Sequence, residues 1–324
     1  MNGQIKRFTT LLPVSLVLVF LQACSIKIPV DSPKPSETSY QDANSSEMKV
    51  EFESDLNEDH EVAAGDRTTV FILEHNHEKI DAGDFIKSGL QNEIAARKIP
   101  LKFVSPADDK LTLDHFEIIT HRATGFSPLV TVSTLKVEMK VGDETKSFVS
   151  LIKRAKTPVW SMNEVFEPCY NEATTLLIKE VVAKINQAYF GHKLSDQSVE
   201  RLKQSIATKA HGRSTYMDVY ELGFSNNKNS IDYLKTLTTD PDEYIRLAAI
   251  SGIGTLGEKT QFSFLVSINK NATLWQDRAM ALKSIGDLGT KEAYDYLAQR
   301  QAFWTGKTSN EAIWNLKIIN LYSH

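Results

Sequence analysis

The clearest pattern in the chain lies between Leu129 and Val141. Leu135, Val137, Met139 and Val141 alternate there with Lys136, Glu138 and Lys140, the period of two expected of a half-buried strand. Gly142-Asp143 supplies a tight turn into a second strand over Lys146–Lys156. Shorter β-rich runs occupy Thr68–Leu73 and Leu101–Val104. Helical spacing takes over from Asp81 to Arg97, at Phe85, Leu90, Ile94 and Ala95, and Asp81 suits an N-cap. Leu113, Phe116 and Ile119 predict another helix over Thr112–Thr120, and a long helix from Glu167 to about Ala188 carries Leu176, Leu177, Val181, Val182 and Ile185. The predicted order over residues 67–190 is βαβαββα, a small α/β sandwich with helices on one sheet face and polar residues on the other.

From residue 193 onward the periodicity is helical, and the sequence repeats. Arg246, Ile250, Ile253, Gly254, Leu256, Gly257 and Leu265 recur as Arg278, Leu282, Ile285, Gly286, Leu288, Gly289 and Leu297, each 32 residues later. Such a period marks stacked helix pairs. Asp240 and Pro241 suit a helix start, Ala248, Ala249, Ala279 and Ala281 let neighbouring helices approach, and Gly257 and Gly289 end the inner helices. Arg246 and Arg278 are expected to bond across repeats to acids such as Asp242 or Asp277. Ser214–Gly223 and Asn310–Tyr322 read as degenerate copies without the arginine, as capping units often are, and a helix over Ser195–His211 completes four pairs. The Asp-Pro start, the arginine, the alanine-rich face and the Leu-Gly exit resemble HEAT-like repeats of the phycobilisome-lyase type. The resemblance implies an all-α solenoid over 193–324, so the fold class expected for the whole chain is α+β. The order of elements in the α/β unit resembles small domains of envelope lipoproteins, such as activators of penicillin-binding proteins, the curli-secretion lipoprotein and the N-terminal domain of the Tol-Pal translocation protein.

The N-terminus reads as an address. Lys6 and Arg7 precede an apolar run from Leu11 to Leu21, shorter than the roughly 20 residues that cross a bilayer. The run ends in Leu21-Gln22-Ala23-Cys24. This combination resembles the bacterial lipoprotein signal. The resemblance implies a signal peptide over 1–23, acylation of Cys24 and, with Ser25 rather than an aspartate following, sorting to the outer membrane on its periplasmic face. Residues 24–66 contain Pro29, Pro33, Pro35 and an acidic stretch from Glu51 to Glu61, and read as a disordered tether with a short strand possible at Met48–Phe52.

Composition narrows the function classes. With 41% hydrophobic and 24% charged residues, the chain is neither collagen-like nor wholly disordered. A net charge of −4 argues against nucleic acid as a partner. Two cysteines cannot make a disulfide scaffold, and Cys169 is expected as a buried, unpaired thiol. Gly252–Gly257 matches GxGxxG but ends a helix instead of opening one, so it is set aside as a dinucleotide site. Ser150-Leu-Ile-Lys153 and Ser267-Ile-Asn-Lys270 match SxxK without its companion motifs. His75 and His77 could project together from an extended chain toward zinc or copper, with His60, His115 and His121 in the same domain, although a solvated strand end is the plainer reading. Trp160 is expected to anchor the turn before the last helix, the alternative being an exposed contact point.

These features give no catalytic residues, no metal and no cofactor. The expectation is a non-enzymatic, membrane-anchored periplasmic adaptor that binds protein partners in the envelope through its repeats. The alternatives are a regulator of a peptidoglycan-synthesis or secretion machine acting through the α/β domain, or a metal-binding envelope protein using His75 and His77.

Overall fold

The computed structural model describes residues 25–41, 45–57, 62–64, 70–124 and 127–323. Cys24 and the leader, as well as Thr68 and Thr69, lie outside the described residues. Strands β1 (Ser25–Pro29), β2 (Met48–Ser54), β3 (Ala63–Ala64), β4 (Val70–His75) and β5 (Glu78–Lys79) precede α1 (Ala82–Arg97) and β6 (Leu101–Phe103). Then β7 (Lys110–His121), β8 (Leu129–Val141) and β9 (Glu144–Lys156) form an antiparallel meander, with Val141 facing Glu144 across the Gly142-Asp143 turn. On its other side β7 pairs in parallel with β2 and, further along, with β3. From there β2 leads to β6, while β3 leads to β4 and β1.

Two expectations need correction here. The predicted helix over Thr112–Thr120 is the strand β7. Leu111, Leu113, Phe116, Ile118 and Thr120 are its buried positions, and the register with β8 slips between Leu113 and His115. That bulge at Asp114 stretches one step of the alternation from two residues to three. The resulting 113–116 interval imitates helical spacing.

The second correction concerns the tether. Over 25–41 and 45–57 the chain is folded, with Met48–Phe52 lying inside β2. Ile28, Val30 and Tyr40 are buried. The Ser36 amide and hydroxyl both donate to Glu93, each at 2.7 Å, and the Tyr40 hydroxyl donates to the Phe224 carbonyl at 2.6 Å. The segment is poor in apolar residues, but the few it has are inserted. Its prolines also lower the conformational entropy lost on ordering.

A short helix α2 (Asn163–Phe166) passes through a π turn at Glu167–Asn171 into α3 (Glu172–Tyr189), which packs with α1 on one face of the sheet. The helical region then comprises α4 (Asp196–Thr208), α5 (Thr215–Gly223), α6 (Ile231–Leu237), α7 (Glu243–Thr255), α8 (Phe262–Asn271), α9 (Trp275–Asp287), α10 (Lys291–Trp304) and α11 (Asn310–Leu321). Helices α5, α7, α9 and α11 form a row in which each touches the next, backed in turn by α4, α6, α8 and α10. Glycine sets the spacing within the row more than the alanines do. A Cβ on Gly252 would lie 2.9 Å from the Cα of Gly223, so α5 and α7 cross backbone to backbone. Gly257 and Gly289, at φ +65° and +61°, take the left-handed exit that ends α7 and α9.

The second sheet face is not simply polar. Val132 and Leu151 meet Trp275, Met280, Trp314 and Ile318 from α9 and α11. Along the free edge of β9, the carbonyls of Val149 and Ala155 accept bonds from the Lys184 ammonium and the Tyr244 hydroxyl, which covers an edge that would otherwise invite another strand.

Candidate functional site

The repeat arginines make a ladder. Arg246 Nε donates to Asp277 Oδ2 at 2.9 Å, while its NH1 donates to the carbonyls of Asp240 and Pro241 at 2.8 and 3.1 Å. Arg278 repeats this one unit later. It forms a two-pronged pair with Glu311, 2.7 Å for each bond, and reaches the Ala272 and Thr273 carbonyls at 2.7 and 3.0 Å. Each arginine thus closes the loop before its own helix and ties that helix to an acid in the first turn of the next. Asp277, one of the two expected acids, serves as that partner. Asp242 instead caps α7, accepting from the Tyr244 and Ile245 amides.

A buried ionic knot joins α3 to the row. Lys184 bridges Glu180 at 2.8 Å and Asp287 at 2.7 Å, and Lys283 bridges Asp287 at 2.8 Å and also pairs with Glu180. Ser150 of β9 donates to Glu180 at 2.6 Å, Thr255 of α7 at 3.1 Å, and the Tyr322 hydroxyl reaches Asp287 at 2.6 Å. Burial alone raises the Glu180 pKa, but Lys184 and Lys283 outweigh it and hold the carboxyl down at about 2. Burial lowers Lys184, which also faces the like charge of Lys283, whereas Asp287 and Glu180 keep Lys283 above the ordinary lysine range. Two acids and two bases leave the knot neutral, and every member except Lys184 is at most 2% exposed at its side chain. Its residue types suit fastening, and nothing in the sequence period announces it, because Glu180 and Lys283 stand 103 residues apart.

Between the meander and α11 lies a cleft of about 350 Å³, lined by Asp114, His115, Glu117, Lys136, Trp314 and Lys317 among others. Lys136 bridges Asp114 and Glu138, each at 3.0 Å; burial opposes its charge, but these two acids raise its pKa. His115 Nε2 lies 2.8 Å from the Thr134 hydroxyl. The cleft combines an indole with charges of both signs, so it can hold a polar segment against an aromatic wall. Helical spacing scatters Asp114, His115 and Glu117, whereas the bulged strand brings them to one cleft, and the bulge itself hides that grouping in the sequence.

The remaining candidates separate. His75 and His77 do not share one side of an extended chain, because Asn76 and His77 take φ of 53° and 69° in the β4–β5 turn. The His75 ring bonds the Val30 carbonyl at 2.9 Å and packs edge-on to Phe85. Among the described residues no cluster of three or more histidine, cysteine or acidic side chains could hold a metal ion. Cys169 is buried and unpaired, and burial pushes its thiol up to about 11, away from nucleophilic use. Trp160 does not anchor its turn in the core, for it is 92% exposed. What fixes the turn is Glu164, whose carboxylate accepts the amides of Val159, Trp160 and Ser161 at 3.0, 2.8 and 3.2 Å and is held below its ordinary range by these bonds. No helix of the described residues is long and apolar enough to cross a membrane. No protein-family model and no curated protein sequence matches the chain.

Proposed function

We propose that the protein is a non-enzymatic adaptor of the bacterial envelope, fastened to the periplasmic face of the outer membrane by acyl chains on Cys24, with its helical row serving as a HEAT-like scaffold for protein partners. The observation that carries this reading is the pair of matching ties, Arg246–Asp277 and Arg278–Glu311, made by arginines 32 residues apart. Successive units that share one tie are what a repeat array with an extended protein-binding surface is built from. The inner side of the row is occupied by β9, α3 and the Val132–Leu151 face, so partners meet the outer helices. On α10, Phe303 is 48% exposed and flanked by Arg300 and Lys307, an aromatic–cation pairing common at protein interfaces. The net charge of −4 disfavours nucleic acid as the partner.

Photo-crosslinking in bacterial cells tests the reading, with the reactive group placed at Phe303 of the full chain and palmitate incorporation measured alongside. The expected result is a discrete adduct with an envelope protein and label that disappears in Cys24→Ala. Label that persists in Cys24→Ala contradicts the anchor. Absence of adducts from positions along α6, α8 and α10 contradicts the adaptor.

A further inference from the structure

One register line crosses the sheet from Ser25 through Val70, Ala64, Ile119 and Val132 to Lys153. Strand direction then decides which end each connection leaves from. β1 begins on this line, so Cys24 comes immediately before it. β9 runs toward the same end and finishes at Lys156, just past the line. The Val159-Trp160 turn follows, and its neighbour Met162 places Sδ 3.8 Å from NH1 of Arg122, the residue after β7. The point where the chain enters the fold and the turn carrying Val159 (67% exposed) and Trp160 (92% exposed) therefore share one end of the sheet. β1 and β7 are three strand spacings apart, roughly 15 Å.

The inner helices start at this end as well. Glu243 of α7 bonds Lys153 at 2.6 Å, and Trp275 at the start of α9 lies beside Val132 and Lys153. Leu274 and Ile313, at the starts of α9 and α11, are 43% and 46% exposed. Most of the large exposed apolar side chains of the described residues thus gather at one pole.

We propose that this pole is a membrane-docking face, with Trp160 and Val159 seated in the interfacial layer of the bilayer that holds Cys24. The inference rests on the Cys24 anchor proposed above. β1 starts one residue after Cys24, so no spacer separates the acyl chains from the fold, and this end must lie against the lipid. Indole favours the headgroup boundary, and Glu164 presents it on a backbone whose amides are already bonded. The acyl chains hold the protein on the membrane; the turn sets which way it faces. The outer helices then extend beside and away from the bilayer, where a partner can reach them.

The test uses the full chain, purified from membranes and reconstituted into phosphatidylethanolamine–phosphatidylglycerol vesicles with brominated acyl chains. Tryptophan emission is expected to be quenched relative to unbrominated vesicles, and most of that quenching is expected to be lost in Trp160→Phe with the circular dichroism spectrum unchanged. Equal quenching of wild type and Trp160→Phe overturns the docking face. Palmitate incorporation in the same preparations reads the anchor separately. Labelled protein whose Trp160 is unquenched overturns docking and leaves the anchor standing; quenched Trp160 in unlabelled protein supports docking and overturns the anchor. A photo-reactive group at position 160 that captures one protein instead of lipid in cells also overturns the proposal.

Discussion

The helical row and the sheet region are stabilised in different ways. Within the row, ties join neighbouring units: Arg246 to Asp277, Arg278 to Glu311, and the Ser284 hydroxyl to the Ile250 carbonyl. In the sheet region they span the chain, with Ser25 beside Val70 and Ser36 bonded to Glu93, and two of them, Arg97 to Glu221 at 2.8 Å and Tyr40 to Phe224, reach α5 of the row. A repeated local unit writes its period into the sequence, whereas a sheet closed by distant segments does not. The two kinds of construction also meet at α3, where Glu180 and Lys184 bond Lys283 and Asp287 of α9. One region is therefore expected to fail with the other.

The largest effect is expected from Glu180→Leu, which leaves two buried lysines sharing one acid. A loss of about 3–5 kcal/mol follows from breaking such a network from one side, and urea unfolding followed by fluorescence and circular dichroism should show both signals moving together. The pH dependence should reveal the same group. Its folded pKa lies below the unfolded value, so its contribution is complete above about pH 4.5 and is lost as pH falls toward about 2. For a shift of this size the loss is roughly 3 kcal/mol. Urea midpoints measured between pH 6 and pH 2 should fall less steeply in Glu180→Leu than in the wild type.

Within the row the effects should be smaller. Arg278→Ala leaves Glu311 and two carbonyls unpaired, at a cost of about 1–3 kcal/mol. Arg278→Lys should recover little of this, since an ammonium cannot make the two-pronged pair. Gly252→Ala forces a methyl against the Gly223 backbone and should cost about 1–3 kcal/mol, read as a lower urea midpoint. Trp160→Phe should change stability by less than about 0.5 kcal/mol, because the ring is exposed, while removing most of the quenching by brominated vesicles.

What the sequence disclosed follows this division. The repeat arginines, the glycine exits at 257 and 289 and the hairpin at Gly142 stand in local motifs and could be read directly, whereas of the ladder's acids Asp277 was read and Glu311 was not. Asp114 hid a strand because one bulged residue changes a period of two into an interval of three. Residues 25–41 hid their order because Ile28, Val30 and Tyr40 are few among prolines and polar side chains, and their partners lie far along the chain. Trp160 misled for another reason: an aromatic residue usually indicates a core, and the carboxylate that holds this turn outward is a short-range polar contact with no apolar signature. The ionic knot was invisible, since each of its acids and bases reads alone as a solvated charge on a helix.

An anchor at the start of β1 orients the outer helices only when the two regions behave as one body. Hydrogen exchange of the full chain in rising urea, read by peptide mass spectrometry, tests this directly. Peptides from β9 and α3 and peptides from α7 and α9 are expected to lose protection at the same urea concentration, and to do so earlier but still together in Glu180→Leu. Protection that persists across α7–α11 after β7–β9 have opened would contradict it.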